Sequence, residues 1–146
     1  MKENNMITSQ NPENIFIYHY VEEMVSNYGE FLKQRINDEE ISMKELPLLI
    51  RIFFSEVVTQ KELVNIFNIS EGQIAKILKK FEDKGYIIRY EKEDNHRIKI
   101  VELTTSGQNL ANKYISYIEE WENNVTSNMT LDEKTELKKL LYKIII

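Results

Sequence analysis

Cysteine is absent from the 146 residues, which excludes a disulfide frame, a thiolate metal site and a thiol sensor. Two prolines and four glycines leave little turn punctuation and favour helices over a turn-rich β fold. No apolar run approaches the roughly 18 residues of a membrane span. The opening "MKENNMITSQNPEN" has no apolar core of the kind a signal peptide needs, so a cytoplasmic protein with no membrane partner is expected. There is no Gly-rich phosphate loop and no Ser/His/Asp set, so neither an enzyme nor a cofactor is expected. Histidine is scarce too: His19 and His96 are the only two, too few for the ligand sets that hold zinc, so no metal site is expected. His19 reads as an ordinary helix residue.

Positive charge is in deficit, with a net of −5, which at first sight argues against nucleic acid. The distribution says more than the sum. Residues 1–58 carry five basic and ten acidic side chains, and residues 101–146 five and seven. Residues 59–100 carry nine basic against seven acidic and form the only positive third.

Along the chain, residues 1–12 read as a polar, disordered lead. From Asn14, apolar residues recur at Ile17, Val21, Met24, Tyr28 and Phe31, with a second seam at Tyr18, Val25 and Leu32. Both seams fit one helix ending near Arg35, with a stripe broad enough to be buried. Ser42 and Glu45 have capping-box spacing ahead of "LPLLIRIFF", a short, largely buried helix with Pro47 in its first turn. Thr59 with Glu62 opens a further helix, and Asn68 is a left-handed stop. Ser70 with Gln73 opens the next, which Gly85 ends. "YIIRYEKEDNHRIKIVEL" then shifts to the alternation of a β-hairpin. Helical spacing returns from Thr104, with Leu110, Tyr114, Tyr117, Trp121 and Val125 on one stripe. Thr130 with Glu133 caps a last helix bearing Leu137, Leu140, Leu141, Ile144 and Ile145.

Two helices across a short turn, then a hairpin, is the order of a winged helix-turn-helix. In the second helix Ile74, Ile77, Leu78 and Phe81 share one face, and Gln73, Lys76, Lys80 and Lys84 the opposite one. An apolar side for docking and an outer side of amide and cation is what a recognition helix requires. Gln pairs with adenine, and Lys reaches guanine or phosphate. Ser70, Glu71 and Gly72 would enter the groove first. The competing reading is a merely solvated cationic face; the capped helix before it and the basic-tipped hairpin after it count against that.

"TQKELVNIFNIS", "QIAKILKKFEDKGYIIR" and above all "DNHRIKIVELTTSG" resemble the MarR family of transcriptional regulators, over nearly the whole chain. Family members carry an Asp-x-Arg wing motif, a short strand, then Leu-Thr and soon after a Gly. Leu103, Thr104 and Gly107 match, and Arg97 falls on the wing Arg. Asn95 stands where the family has Asp, with Asp94 next to it as the expected substitute brace for Arg97. The implied fold is mainly α with a small β-hairpin wing. Residues 42–103 would form the winged helix-turn-helix part of the single chain 1–146, and 13–36 and 104–146 the dimerisation helices. The implied partners are double-stranded DNA and a second copy of the chain. The expected DNA-binding set is Thr59, Ser70, Glu71, Gln73, Lys76, Lys80, Asn95, His96 and Arg97. The resemblance further implies a repressor on an inverted-repeat operator, released by a small aromatic or anionic effector. Tyr18, Tyr20, Tyr28, Arg51 and Trp121 are candidates to line an effector pocket, but ordinary core and rim aromatics are the stronger reading, so no ligand site is assigned. The alternative function is a winged-helix protein–protein module without DNA binding.

Overall fold

The computed structural model describes residues 10–146. The lead expected over residues 1–12 therefore falls largely outside the described residues. The chain divides into two units, Met1–Met43 and Lys44–Ile146. In the first, Pro12–Asn14 form a 3-10 turn, and the Asn11 side chain accepts a hydrogen bond from the Glu13 amide. Helix α1 follows at Ile17–Lys33, three residues later than the expected start, because Ile15 and Phe16 are extended between the turn and the helix. Its apolar seams are open: Ile17, Tyr18, Val21, Met24 and Val25 are exposed, and only Leu32, at the far end, is buried.

The second unit begins with α2, Leu46–Phe54, with Pro47 in its first turn, where a missing N–H is harmless. The Ser42–Glu45 box does not open this helix. Glu45 is itself the N-cap residue, in αR backbone conformation and with no side-chain cap bond. Its carboxylate accepts from the Lys80 ammonium. After α2 comes a strand that the sequence pattern did not announce, β1 at Val58–Thr59. Then follow α3 (Gln60–Phe67), α4 (Glu71–Asp83), β2 (Ile87–Lys92), β3 (Asn95–Leu103), α5 (Thr105–Val125) and α6 (Leu131–Ile145). The sheet is antiparallel in the order β1-β3-β2, with Val58 opposite Val101 and Ile87 opposite Leu103.

The core of this unit lies where α2, α3, α4 and α5 meet the sheet. Leu49, Leu63, Ile74, Leu78, Phe81, Ile87, Val101 and Tyr114 are wholly or almost wholly buried there. Each such aliphatic or Phe side chain contributes about 1.5–3 kcal/mol through area removed from water. At the far end α6 starts in the Thr130–Glu133 capping box. Lys134 and Lys138 bring their ammonium groups to 3.3 and 2.6 Å from Glu122 Oε1 on α5. The two ammonium groups, Lys138 foremost, hold the Glu122 carboxyl below its ordinary range. No side chain of α6 is buried.

The run Leu103-Thr104 with Gly107 joins the sheet to α5. The Tyr86 carbonyl accepts from the Thr104 amide at 2.9 Å. The Thr104 hydroxyl donates to the Gly85 carbonyl at 2.5 Å and accepts from the Gly107 amide at 3.1 Å, capping α5. A Cβ on residue 107 would lie 1.9 Å from the Tyr86 oxygen. That neighbour is backbone, so the helix start would have to shift. Gly107→Ala is accordingly expected to destabilise by about 3 kcal/mol. Gly72→Ala, whose added methyl meets nothing within 4 Å, should stabilise by up to about 1 kcal/mol through the smaller entropy of the unfolded chain. Urea unfolding midpoints check both, and a neutral Gly107→Ala would remove the close approach from the account.

Candidate nucleic-acid interface

Two reciprocal caps and one left-handed residue set the helix-turn-helix. Thr59 caps α3: its hydroxyl accepts from the Glu62 amide at 3.2 Å, and Glu62 Oε2 accepts from the Thr59 amide at 2.7 Å and hydroxyl at 2.9 Å. Those bonds hold the Glu62 carboxyl below its ordinary range. Thr59 also pairs with Ile100 in the sheet, so its side chain serves the scaffold. Asn68 ends α3 with φ 49° and ψ 43°, a conformation Asn tolerates better than most residues. Ser70 then caps α4. Its hydroxyl accepts from the Gln73 amide at 3.2 Å, and its own amide donates to Gln73 Oε1 at 3.3 Å.

On α4, Ile74, Leu78 and Phe81 are buried as the spacing predicts, and Ile77 is half-buried. Glu71, Gly72, Gln73 and Lys76 are exposed on the other side. Gln73 has its amide oxygen in the cap, leaving its NH₂ to face outward chemistry. Lys76 bonds to nothing among the described residues. Lys80 differs from both: its ammonium lies 2.7 and 3.0 Å from the two carboxylate oxygens of Glu45.

The hairpin is fastened to the helices by Arg89, which the sequence reading passed over. Its Nε donates to Glu82 Oε2 on α4 at 2.9 Å, and an Nη donates to Gln60 Oε1 on α3 at 3.3 Å. This pairing, with the hydrogen bond as its largest cause, holds the Glu82 carboxyl below its ordinary range. The signal was available: in β2 the chain alternates, and a cation on the inward side of a strand needs partners.

Towards the wing tip the register breaks. Glu91 faces Lys99, but Lys92 faces Asn95, so residues 96–98 intervene on β3 where β2 supplies none. Such a bulge bends a strand and re-aims its side chains. Asn95 Oδ1 accepts from the Arg97 amide at 3.1 Å, so the residue in the place of the family Asp still anchors the Arg97 backbone. Asp94 is not the brace that was expected for Arg97: its carboxylate lies 3.6 Å from Lys92 Nζ. His96 Nδ1 sits 3.1 Å from Glu91 Oε2. No acidic partner for the Arg97 guanidinium is found among the described residues.

Arg97 instead lines an open groove of about 470 Å³ between the starts of α3 and α4 and strand β3. Thr59, Lys61, Glu62, Glu71 and Lys99 line it as well. Three cations against two carboxylates leave it positive within a chain that is net negative. Lys61 and Lys99 are additions to the expected set. Lys99 was legible as the residue two beyond Arg97 on the same strand, and Lys61 only from its place beside the cap. Of the effector-pocket candidates, Tyr18, Tyr20 and Tyr28 belong to the first unit and Arg51 and Trp121 to the second. The Tyr18 hydroxyl donates to Glu22 and the Tyr20 hydroxyl to the Pro12 carbonyl, in the first unit. Arg51 is exposed on α2, and Trp121 is half-buried on α5.

Comparison with known proteins agrees on one kinship. The model of the MarR family matches residues 41–99. The HTH-type transcriptional regulator BilQ of Clostridium symbiosum is 32% identical over 114 residues, spanning 78% of this chain and 79% of that protein. A MarR transcriptional regulator from Methanosarcina mazei superposes with a TM-score of 0.78 at 22% identity, over 89% of this chain and 94% of that one. A mutant MarR from E. coli, solved in complex with operator DNA, gives 0.70 at 19% identity, over 98% of this chain and all of that one at 100%.

The Asn95 bond gives a local test. Asn95→Ala should remove about 1 kcal/mol of local stability at the wing, read as roughly fivefold faster amide hydrogen exchange at Arg97 with the global unfolding midpoint unchanged. Asn95→Asp keeps the acceptor and should leave that exchange rate near the starting value. Equal protection in all three proteins would show that the bond does not order the wing.

Proposed function

The chain belongs to the MarR family, and on that premise we propose that it is a sequence-specific transcriptional regulator binding an inverted-repeat operator in double-stranded DNA as a homodimer. The observation that carries this reading is the positive groove that brings Arg97 of the wing beside Glu71 at the start of α4. In this reading α4 enters the major groove by its first turn, with Ser70 and Glu71 leading. Gln73 offers its amide to adenine, and Lys76 reaches guanine or phosphate. Arg97 enters the adjacent minor groove, where narrow A·T-rich DNA concentrates negative potential. Lys61, Lys99 and His96 flank the phosphates, while Asn95 and Thr59 hold the backbone that presents them.

The homodimer is supported by what each unit leaves uncovered. The open seams of α1 include Ile17, Val21 and Val25, and α6 exposes Leu140, Tyr142, Ile144 and Ile145. Apolar faces of this extent ask for a partner surface, and a two-fold pair reads half-sites about one helical turn apart. Repression, with release by a small effector, completes the proposal and follows from the kinship. A cavity of about 250 Å³ lies at the end of α2, but Glu56 and Glu102 line it, which disfavours an anionic effector there. A protein–protein module without DNA binding is the second reading, favoured by the net charge of −5 and by the neutralised Lys80.

Mobility shifts on DNA upstream of its own gene, at two salt concentrations, separate these readings. Arg97→Ala should weaken binding strongly without unfolding the chain, and Arg97→Lys should restore only part, lacking the planar fork. Gln73→Glu keeps the cap but trades the amide for an acceptor, so preference should move from adenine towards cytosine by about 1–3 kcal/mol. Full affinity in Arg97→Ala would take the wing out of the mechanism, and no shift with any duplex would favour the second reading.

Assembly is checked separately. Sedimentation at micromolar concentration should give about twice the 17.4 kDa chain mass. Leu140→Asp combined with Ile144→Asp should lower it towards one chain. A well-folded monomer of the unsubstituted protein would sink the two-fold reading of DNA.

A further inference from the structure

Lys80 sits on the outward, cationic row of α4, yet its ammonium is held by both oxygens of Glu45, at 2.7 and 3.0 Å. The two side chains are unequally exposed: 40% for Lys80 and 12% for Glu45. Glu45 lies 35 residues away in sequence, at the N-cap of α2, where it makes no cap bond. An ion pair with one partner this sheltered resists separation, because little water reaches the carboxylate to take the place of the cation. A phosphate approaching α4 can offer Lys80 a new partner, but it cannot compensate Glu45.

We propose that Glu45 is a specificity-determining residue that acts through Lys80: it competes with DNA phosphate and withholds one backbone contact per subunit. The inference rests on the DNA-binding reading above and adds to it how strongly the protein grips any sequence. Phosphate contacts supply the sequence-independent part of binding, and base contacts supply the choice. Removing a phosphate contact while leaving Gln73, Lys76 and Arg97 in place widens the ratio of operator to non-operator affinity. The acidic side chain thus serves discrimination at the expense of raw affinity.

Four full-length proteins test this: unsubstituted, E45Q, K80Q and the double variant, each titrated with salt on the upstream duplex and on a scrambled duplex. Glu45→Gln preserves shape and removes the competing charge. The log–log salt slope should then steepen by about 0.9 for each subunit that engages DNA, and the operator-to-scrambled ratio should fall. K80Q should match the unsubstituted slope, because Lys80 was not on phosphate. The double variant should return to that slope. A flattened slope in K80Q, an unchanged one in E45Q, or a gain that persists in the double variant would each overturn the proposal, the last by showing a general charge effect. If the unsubstituted chain binds no duplex, the DNA-binding reading fails on its own; low-salt binding gained by E45Q would then still uphold the competition, and none would overturn it. Should E45Q lose helix content, Glu45→Asp retracts the carboxylate by one methylene and should steepen the slope in the same direction, with no steepening again overturning the idea.

Discussion

The carbonyl of Tyr86 fixes the geometry of the second unit. It follows Gly85, whose φ of 77° turns the chain out of α4, and it precedes the first residue of β2. It accepts the Thr104 amide at the end of β3, and it lies where a side chain at the start of α5 would otherwise stand. Four elements therefore meet at one peptide group. The Tyr86 amide closes the junction from the other side by donating to the Phe81 carbonyl on α4 at 2.9 Å. Because α4 and the hairpin leave the same point, the angle between them is set locally. Arg89 then locks it with one bond to each helix of the helix-turn-helix.

Electrostatics work on a smaller scale than the net charge suggests. An acidic chain repels DNA at long range, but beyond about a Debye length that repulsion is screened at physiological salt. What decides close approach is the surface within a few ångströms of phosphate, and in the groove proposed to meet DNA Lys61, Arg97 and Lys99 outnumber Glu62 and Glu71. Glu62 is moreover occupied by the Thr59 cap, which leaves Glu71 as the more available of the two carboxylates.

Local signals were the most legible. Three Ser/Thr-x-x-Glu/Gln boxes, at Thr59, Ser70 and Thr130, open helices where the spacing puts them, because each is closed by its own four residues. The fourth, at Ser42, does not open a helix: α2 begins at Leu46 with Glu45 in the N-cap position, and the Glu45 carboxylate reaches Lys80, 35 residues on, a pairing that no local pattern contains. Strand β1 was invisible for a related reason: two residues cannot display an alternation, and their strand character comes wholly from pairing with Val101 and Ile100. The wing was legible as a hairpin, but its bulge was not, since register is a property of two strands. The apolar seams of α1 were read as buried, and in the single chain most of their side chains are open. Periodicity identifies a face and does not say which surface covers it.

Gln73 holds two duties in one side chain. Its amide oxygen helps to start α4, and its exposed position gives it to the candidate reading surface. Evolutionary drift at this position is therefore confined: nearly every replacement other than Glu forfeits part of the cap, a loss of the order of 1 kcal/mol. Lys76, without such a bond, is free to vary. In a lineage of such regulators, new operator preferences should accumulate first at residue 76 and on the wing, while residue 73 alternates between two letters.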